Sequence, residues 1–480
     1  MEENWAQLEM EGAQLNDKRR NRSVIQVCNS LAARAGESFS AACGSAGRQA
    51  AHRICSDSSV TPMKLLAGHI KQTAERCQGH EFVLVVQDTT AMSYKTHVAT
   101  EGLGPLNDNL ETRGFFTHSV IALTEEGMPL GLLHAKTWVR DPDMHGQGQK
   151  RRQRDVAEKE SAKWAEGLAA VEATLPAKQR VMVVQDREGD IFSLLAAARR
   201  ENTELLVRAS QPRKVEVPGG SDASQRKYLF EVASKAPVVG TMVVTVPRQP
   251  GQPERKATLE LRAKEIRIAR PHHARADAPK ESPRYWVVKG TELSPPEGEE
   301  AIEWVLLTTR CVEGKAEACR MIRYYSKRWT VERYHYTLKS GCMVEKLQVD
   351  EAHALINTVA LYIPVAWRLM TITYIARTEP DKDAREVLND EEIAVLSQRE
   401  GQKIVTVRNA VWAIAKLGGF EAYRRAREPG VKVMWLGMRR LAAMTEGWRL
   451  AFAALAEGGD SDSRNRLVFY DTRLAPRRRS

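Results

Sequence analysis

The sequence has few cysteines, and none of them is placed as a paired metal ligand. Seven cysteines are scattered through 480 residues, and no two follow the Cys-x2-Cys spacing of a zinc site. Their odd number argues against a disulfide framework. We therefore expect buried thiols without a chemical role.

Long hydrophobic runs are also missing. The longest apolar runs fall far short of the ~18 residues that suggest a membrane span. The first residues, MEENWAQLEMEG, are acidic and polar, unlike a secretory signal. A composition of 42% hydrophobic and 28% charged residues is typical of a soluble globular chain. We expect a cytoplasmic protein that does not contact a membrane.

Acidic residues are outnumbered by basic ones. Lysine and arginine total 72 against 61 aspartates and glutamates, which gives a net charge of +11. Basic residues gather in NDKRRNR (residues 16–22), QKRRQR (residues 149–154) and the tail APRRRS (residues 475–480). Three separate clusters favour an extended acidic partner over one small-molecule pocket. Solvated surfaces and a free tail are the alternative interpretation.

The chain changes character along its length. Residues 1 to about 70 predict short helices, with Thr61 as an N-cap ahead of Pro62 at the first helical position. From residue 81 to about 210 the order β-β-β-α-β-α-β predicts a mixed sheet with flanking helices. It includes a hairpin over residues 113–140 and a helix over residues 190–202.

The region from about 211 to 310 is rich in proline, glycine and alternating apolar residues. It predicts an antiparallel β insertion, and the rest of the chain reads as mostly helical. The predicted fold class is therefore α/β, with a mixed β-sheet core interrupted by the insertion and with helical N- and C-terminal domains.

The letters VVQD occur twice, each time at the end of a buried-type strand. The copies end at Asp88 and Asp186. If the two strands are parallel neighbours, about 4.8 Å apart, the two carboxylates converge at one edge of the sheet. Such carboxylates repel each other unless a cation lies between them, and Mg²⁺ prefers oxygen ligands. Capping of the following turn is the alternative role for each aspartate.

A third carboxylate lies in YYSKRWTVERYHYTLK. At 100° per residue, one helical stripe about 60° wide would hold Tyr325, Arg328, Glu332 and Lys339. A salt-bridge ladder on a surface is one interpretation of this pattern. A metal-binding carboxylate flanked by phosphate-binding cations is the other, and phosphodiester chemistry needs that combination.

The spacing Tyr-x2-Arg-x3-Glu-x6-Lys resembles the signature of the cut-and-paste DDE transposases of the bacterial insertion-sequence-four family, in particular the Tn-five-like ones. QDTTAMSYKTH, GLLHAKTWVR, EKESAKW, QDREGDI, VRASQPRK, WVLLTTR and AIAKLGGF are similar to the same family. The similarity extends over roughly residues 15 to 455. The N-terminal segment does not match letter for letter, so recognition of a particular end sequence is not implied.

The resemblance implies a ribonuclease-H-like catalytic core with Asp88, Asp186 and Glu332 as catalytic and metal-binding residues. The implied cofactor is a pair of Mg²⁺ ions, for which Mn²⁺ can substitute. The implied domains are DNA-binding over 1–70, catalytic over 71–365 and dimerising over 366–480. The implied reaction is cleavage of transposon-end DNA through a hairpin, followed by joining of the 3′ ends to target DNA.

The resemblance also implies DNA contacts. Tyr325 and Arg328 would hold a flipped base and its neighbouring phosphate, Lys339 another phosphate, and Trp304 would stack on the base. Arg208 aligns with a further DNA-facing arginine. The implied partners are double-stranded transposon-end DNA, target DNA and a second copy of the chain in a synaptic complex, in a bacterial, nucleoid-associated setting.

Other candidates remain open at this stage. Glu188, Asp190 and Glu345 are weaker candidates for metal ligands, and His335 either flanks DNA or packs. A structure-selective nuclease or resolvase on the same fold would share the acidic cluster without needing the basic stripe. A non-catalytic DNA-binding protein that inhibits a transposase is a third hypothesis. A glycosidase with paired carboxylates would not explain three basic clusters.

Overall fold

The computed structural model describes most of the chain, in two compact units. The first unit comprises Met1–Gln72, Met92–Phe115 and Tyr334–Ser480, and the second comprises Thr73–Ala91 and Phe116–Arg333. The described residues are 5–34, 37–97, 99–107, 111–142, 160–218, 227–246, 254–272, 282–421 and 428–458.

The N-terminal segment is helical, as the sequence predicts. Thr61 caps its helix through a hydrogen bond from the Lys64 backbone N–H, with Pro62 at the first turn. Ser38 caps the third helix, which is kinked at Gly44, where φ is 64°. The helices are α1 (Trp5–Met10), α2 (Lys18–Ala33), α3 (Phe39–Cys55), α4 (Pro62–Leu65) and α5 (Ala67–Gln78).

The C-terminal part of the first unit is also helical. Asn389 and Thr406 begin two of its helices with capping boxes, each satisfying two backbone N–H groups. The helices of this part are α11 (Ala352–Thr378), α12 (Asp390–Glu400), α13 (Val407–Leu417) and α14 (Val431–Gly458).

Helix α11 is long and apolar enough to cross a membrane by length and composition alone. However, 72% of its most apolar window is buried inside the structure. Burial to that extent is the behaviour expected of a core helix in a protein whose interior, not lipid, covers the apolar side chains.

The second unit is built on a mixed sheet. Its order is β4-β3-β1-β5-β6-β12-β11-β10, with β9 and β7 both paired to β10 and β8 paired to β7. In the first unit, β2 (Gly104–Pro105) pairs with the start of β3. The other strands are β1 (Phe82–Ser93), β3 (Arg113–Thr124), β4 (Pro129–Trp138), β5 (Arg180–Gln185), β6 (Thr203–Arg208), β7 (Lys214–Glu216), β8 (Lys227–Tyr228), β9 (Val238–Val246), β10 (Arg255–Ile268), β11 (Arg284–Glu292) and β12 (Glu303–Thr308).

Two predictions about this sheet are confirmed. Strands β3 and β4 form the antiparallel hairpin expected over residues 113–140, with Gly127 in the turn at φ 98°. The insertion consists of antiparallel pairs from β7 to β12. It is not a separate sheet, because β12 pairs with β6 and extends the core sheet.

The helices of the second unit pack on this sheet. They are α6 (Ala162–Thr174), α7 (Phe192–Leu195), α8 (Leu229–Lys235) and α9 (Lys315–Ser326), and α10 (Trp329–Tyr336) continues into the first unit. The buried core of this unit includes Val83 and Val85 of β1, Val181 and Val183 of β5, and Trp164 of α6.

The helix predicted over residues 190–202 is wrong in length, since only α7 forms there. The Arg200 backbone N–H donates to the Glu172 carboxylate at 2.7 Å, and the Arg200 side chain donates to the Leu175 carbonyl at 3.0 Å. These contacts with the end of α6 replace helical hydrogen bonds, so tertiary structure overrides local propensity.

Candidate active site

The two VVQD strands are parallel neighbours in register, as the sequence predicts. Val86 of β1 is paired with Val184 of β5, so Asp88 and Asp186 each follow a matched pair by two residues. One detail differs from the prediction: β1 continues to Ser93, and Asp88 therefore lies inside the strand rather than at its end.

Asp88 is a largely buried carboxylate with few donors. Its Oδ1 accepts from the Thr89 backbone N–H at 2.7 Å, and its Oδ2 lies 3.5 Å from Nη1 of Arg328. Burial is the main reason that the pKa of Asp88 is raised to about 6; the charges of Asp186 and Glu332 act in the same direction, whereas the Thr89 N–H and Arg328 oppose the rise. The carboxylates thus interact electrostatically at this edge of the sheet.

Asp186 both caps a turn and joins this group of charges. Its carboxylate accepts from the Glu188 backbone N–H at 2.8 Å and begins a short 3₁₀ turn over Arg187–Gly189. Burial raises the pKa of Asp186, whereas the positive charge of Arg328 lowers it. The capping interpretation is therefore confirmed for this residue, and the role of Asp186 as a metal ligand stays a prediction.

Glu332 is tied to the same guanidinium. Nη2 of Arg328 donates to Oε1 of Glu332 at 2.6 Å, and the Glu332 side chain is 39% exposed. Arg328 thus connects Glu332 to Asp88, while its own side chain is only 9% exposed. Arg328 contacts two of the three carboxylates that the sequence singles out, Asp88 and Glu332, and Asp186 interacts with it electrostatically.

The prediction of a continuous helical stripe is wrong. Helix α9 ends at Ser326 and α10 begins at Trp329. Between them the backbone N–H groups of Lys327 and Arg328 donate to carbonyls three residues earlier. Such bonds tighten the backbone toward three residues per turn, so 100° per residue does not hold across this segment.

Tyr325 and Trp304 form an aromatic pair. Their ring centroids are 5.7 Å apart at 67°, and Tyr325 is almost fully buried. Trp304 lies on β12 opposite Gly290 of β11. Arg208 lies at the end of β6, and its side chain donates to the Glu303 carbonyl at 3.3 Å. These three predicted DNA-contact residues therefore lie on adjoining elements of one unit.

Lys339 is placed in the first unit, on a π-helical turn over Thr337–Gly341 that follows α10. Its ammonium lies 3.3 Å from Glu345, whose carboxylate also accepts from the Ser93 backbone N–H at 2.8 Å. Glu345 is thus engaged in structural contacts. His335 is buried, and burial lowers its pKa to about 3, so it packs as a neutral side chain.

Two other carboxylates near Asp186 are engaged elsewhere. Glu188 is 65% exposed and forms an ion pair with Lys163 at 2.9 Å. Asp190 is buried, and its Oδ2 accepts from the backbone N–H groups of Ser210 and Gln211, each at 2.8 Å. Its Oδ1 forms an ion pair with Arg213.

The paired glutamines of VVQD have a role that the sequence does not reveal. Oε1 of Gln87 accepts a hydrogen bond from Nε2 of His118 at 3.1 Å, and the Gln87 amide lies against Gly167. Gln185 lies against Gly189, where a Cβ would come within 2.5 Å of its Oε1. Each glutamine thus occupies space that a Cβ on the neighbouring glycine would take.

The chemical type of the ligands suits a hard divalent cation, since Asp88, Asp186 and Glu332 supply only oxygen atoms. Within the described ranges, no three histidine, cysteine, aspartate or glutamate side chains are close enough together to hold a metal ion. In this structure Arg328 supplies the positive charge among the carboxylates.

The basic clusters are only partly described. In the first cluster, Arg20 forms an ion pair with Asp57 at 2.7 Å. The clusters at residues 149–154 and 475–480 lie outside the described residues.

Both ends of the chain match known families. The profile of the transposase DNA-binding family matches residues 2–60, and that of the transposase Tn5 dimerisation domain matches residues 364–459. Among solved structures, a piggyBac transposase synaptic complex with hairpin DNA is similar at 10% identity and a TM-score of 0.33. That match covers 88% of this chain but only 63% of the piggyBac chain.

Proposed function

The chain belongs to the Tn5-like transposases, and from this premise we propose that it is a DNA transposase of the DDE type. It binds transposon ends, cuts them by hydrolysis and hairpin formation, and joins the freed 3′ ends to target DNA. The observation that carries the proposal is the electrostatic interaction of Asp88 with both Asp186 and Glu332, with Arg328 paired to Asp88 and Glu332.

We propose a ribonuclease-H-like core for this activity. The strand order β4-β3-β1-β5-β6, with β1, β5 and β6 parallel, supports this assignment. The proposed domains are the DNA-binding segment 1–70, the catalytic core 71–365 with the insertion at about 211–310, and the dimerising segment 366–480. The family matches at 2–60 and 364–459 support the two terminal assignments.

Asp88, Asp186 and Glu332 are the residues that would hold two Mg²⁺ ions, or Mn²⁺ in their place. Divalent cations bound there would lower the pKa of an attacking hydroxyl and stabilise the leaving oxygen of a phosphodiester. The carboxylates are fixed by the protein itself, through the backbone N–H groups of Thr89 and Glu188. One such site serves nicking, hairpin formation, hairpin opening and joining, because each is a displacement at phosphorus with a different nucleophile.

The Trp304–Tyr325 pair is the proposed site for a flipped base. Trp304 is partly exposed, whereas Tyr325 supports it edge-on from within the unit. Stacking on an aromatic ring is worth about 1–3 kcal/mol per base. We expect Trp304→Ala to slow hairpin formation by about tenfold while the first nick is little changed. Equal slowing of both steps, in a gel assay of labelled ends, would argue against this role.

The proposed partners are double-stranded transposon-end DNA, target DNA and a second copy of the chain in the synaptic complex. The net charge of +11 supports a nucleic-acid partner. The dimerisation match supports assembly of two copies.

The deciding experiment uses the DNA that flanks the coding sequence. End-labelled duplexes of this DNA are incubated with the protein and Mg²⁺, and the products are resolved on denaturing gels. We expect nicked, hairpin and strand-transfer products. Cleavage at branched junctions without hairpins would favour a resolvase, and binding without any cleavage would favour an inhibitor. A Glu332→Gln variant provides the catalytically inactive control.

A further inference from the structure

The guanidinium of Arg328 lies between two of the carboxylates that we propose as metal ligands. Its Nη2 donates to Glu332 at 2.6 Å, and its Nη1 lies 3.5 Å from Asp88. Its Cζ lies 5.3 Å from the centre of the Trp329 ring and 6.0 Å from that of Tyr325. Charge and packing therefore hold the guanidinium in one position.

This position creates a competition for oxygen atoms. Asp88 Oδ2 and Glu332 Oε1, the oxygens that face Arg328, belong to the carboxylates a divalent cation would need. Two positive groups in contact with the same oxygens repel each other. While Arg328 stays in place, entry of a cation is therefore opposed.

The arginine also has capacity to bind elsewhere. Its Nε is buried and has no hydrogen-bond partner within the described part of the chain. A phosphate group offers acceptors in the spacing of a guanidinium fork and carries the charge to draw it away from a carboxylate. DNA supplies such groups on both sides of a scissile bond.

We propose that Arg328 acts as a latch: in the DNA-free protein it competes with divalent cations for Asp88 and Glu332, and a DNA phosphate releases it. Metal binding then follows DNA binding. This inference rests on the proposed function, because it takes the carboxylates as metal ligands and a DNA phosphate as the releasing group.

The first test measures Mn²⁺ binding without DNA, by electron paramagnetic resonance of free Mn²⁺. We expect Arg328→Gln to bind Mn²⁺ at least about tenfold more tightly than the wild type, a factor that corresponds to about 1.4 kcal/mol. The matched control is Arg323→Gln, because Arg323 is an exposed arginine of α9, the helix that precedes Arg328, with no contact to these carboxylates. Its Mn²⁺ affinity should stay near that of the wild type.

A second arm uses the wild-type protein, so that the test does not depend on the folding of a variant. Mn²⁺ binding is measured with and without a duplex from the flanking DNA, and the Glu332→Gln variant with the same duplex provides the background. We expect the duplex to raise the Mn²⁺ affinity of the wild type by at least about tenfold. It should add little to the already tighter binding of Arg328→Gln.

The latch is overturned if folded Arg328→Gln binds Mn²⁺ no more tightly than the wild type, or if Arg323→Gln gains as much. It is equally overturned if the duplex binds but leaves the wild-type affinity unchanged. Failure of the proposed function would look different. The protein would then not cleave the flanking DNA with Mg²⁺, whereas the DNA-free comparison of the two arginine variants would still decide the latch.

Discussion

Asp190, which is buried, and Asp88, which is largely buried, each lie beside an arginine in the same unit, but their hydrogen-bond partners differ. Asp190 accepts from two backbone N–H groups at 2.8 Å and from the side chain of Arg213. Asp88 accepts from one backbone N–H, and its arginine lies at the long distance of 3.5 Å.

The difference separates a structural carboxylate from one available for chemistry. Three donors use up the oxygens of Asp190 and tie the end of β6 to the 3₁₀ turn, so no ligand is needed to stabilise its charge. Asp88 lacks such compensation, and burial raises its pKa to about 6. Incompletely compensated charges of this kind are typical of functional sites.

The largest expected effect comes from removing the charge of Asp88 alone. Asp88→Asn keeps the size of the side chain but removes a proposed metal ligand, so we expect cleavage of flanking DNA to fall by at least about a thousandfold. Thermal unfolding and gel-shift binding of the same DNA check that the fold and the DNA affinity are retained. If this variant cleaves at the wild-type rate, Asp88 is not part of the site.

The same substitution at Asp190 should act on stability instead. In Asp190→Asn an amide N–H₂ would face Arg213, leaving a buried guanidinium without its counter-charge. Breaking a buried pair in this way costs about 3 kcal/mol or more, measured as the free energy of unfolding in urea. If the Asp190→Asn protein is as stable as the wild type, the three hydrogen bonds to Asp190 do not stabilise the fold, and Asp190 is not a structural carboxylate in contrast to Asp88.

Much of this site can be predicted from the sequence because its determinants are local. Buried strands with identical endings predict that Asp88 and Asp186 meet, and strand pairing in register gives the physical reason. The spacing from Tyr325 to Lys339 resembles the family signature, and this resemblance predicts Glu332 as the third carboxylate of the candidate site. The antiparallel insertion follows from alternating residues in β9 to β12.

What the sequence does not reveal depends on contacts between distant segments. Arg328 is buried between Asp88 and Glu332, and no periodicity predicts this because the helix is interrupted between α9 and α10. The donors to Asp190 come from residues about twenty positions away. The glutamines of VVQD likewise gain their role from glycines on other elements, such as Gly167.

The pH dependence of stability sharpens the comparison further. In the folded protein Asp88 has a raised pKa of about 6, against an ordinary value of 3.8. Its contribution to stability is therefore fully present below about pH 4 and lost as the pH rises through about 6. Asp88→Asn avoids this loss, so in EDTA the variant should gain stability over the wild type as the pH rises.

The expected gain is near zero at pH 4 and about 2 kcal/mol at pH 7.5, measured by urea unfolding at both values. The variant also loses the weak contact between Asp88 and Arg328, which offsets part of the gain in stability. We therefore expect a gain smaller than the full free energy that corresponds to the pKa change. A gain that does not change with pH would mean that the charge of Asp88 is already compensated in the folded protein.

The smallest expected effect belongs to Glu188, which is two residues from Asp186 but exposed and paired with Lys163. Exposed ion pairs contribute about 0–1 kcal/mol, so Glu188→Gln should change stability by less than that and the cleavage rate by no more than about twofold. Because the charge of Glu188 raises the pKa of Asp186, its removal should shift the cleavage profile slightly toward lower pH. If Glu188→Gln instead abolishes cleavage, Glu188 is a metal ligand. In that case, burial and a lack of hydrogen-bond donors would not identify the functional carboxylates, because Glu188 is the most exposed carboxylate of the group and would still be required for cleavage.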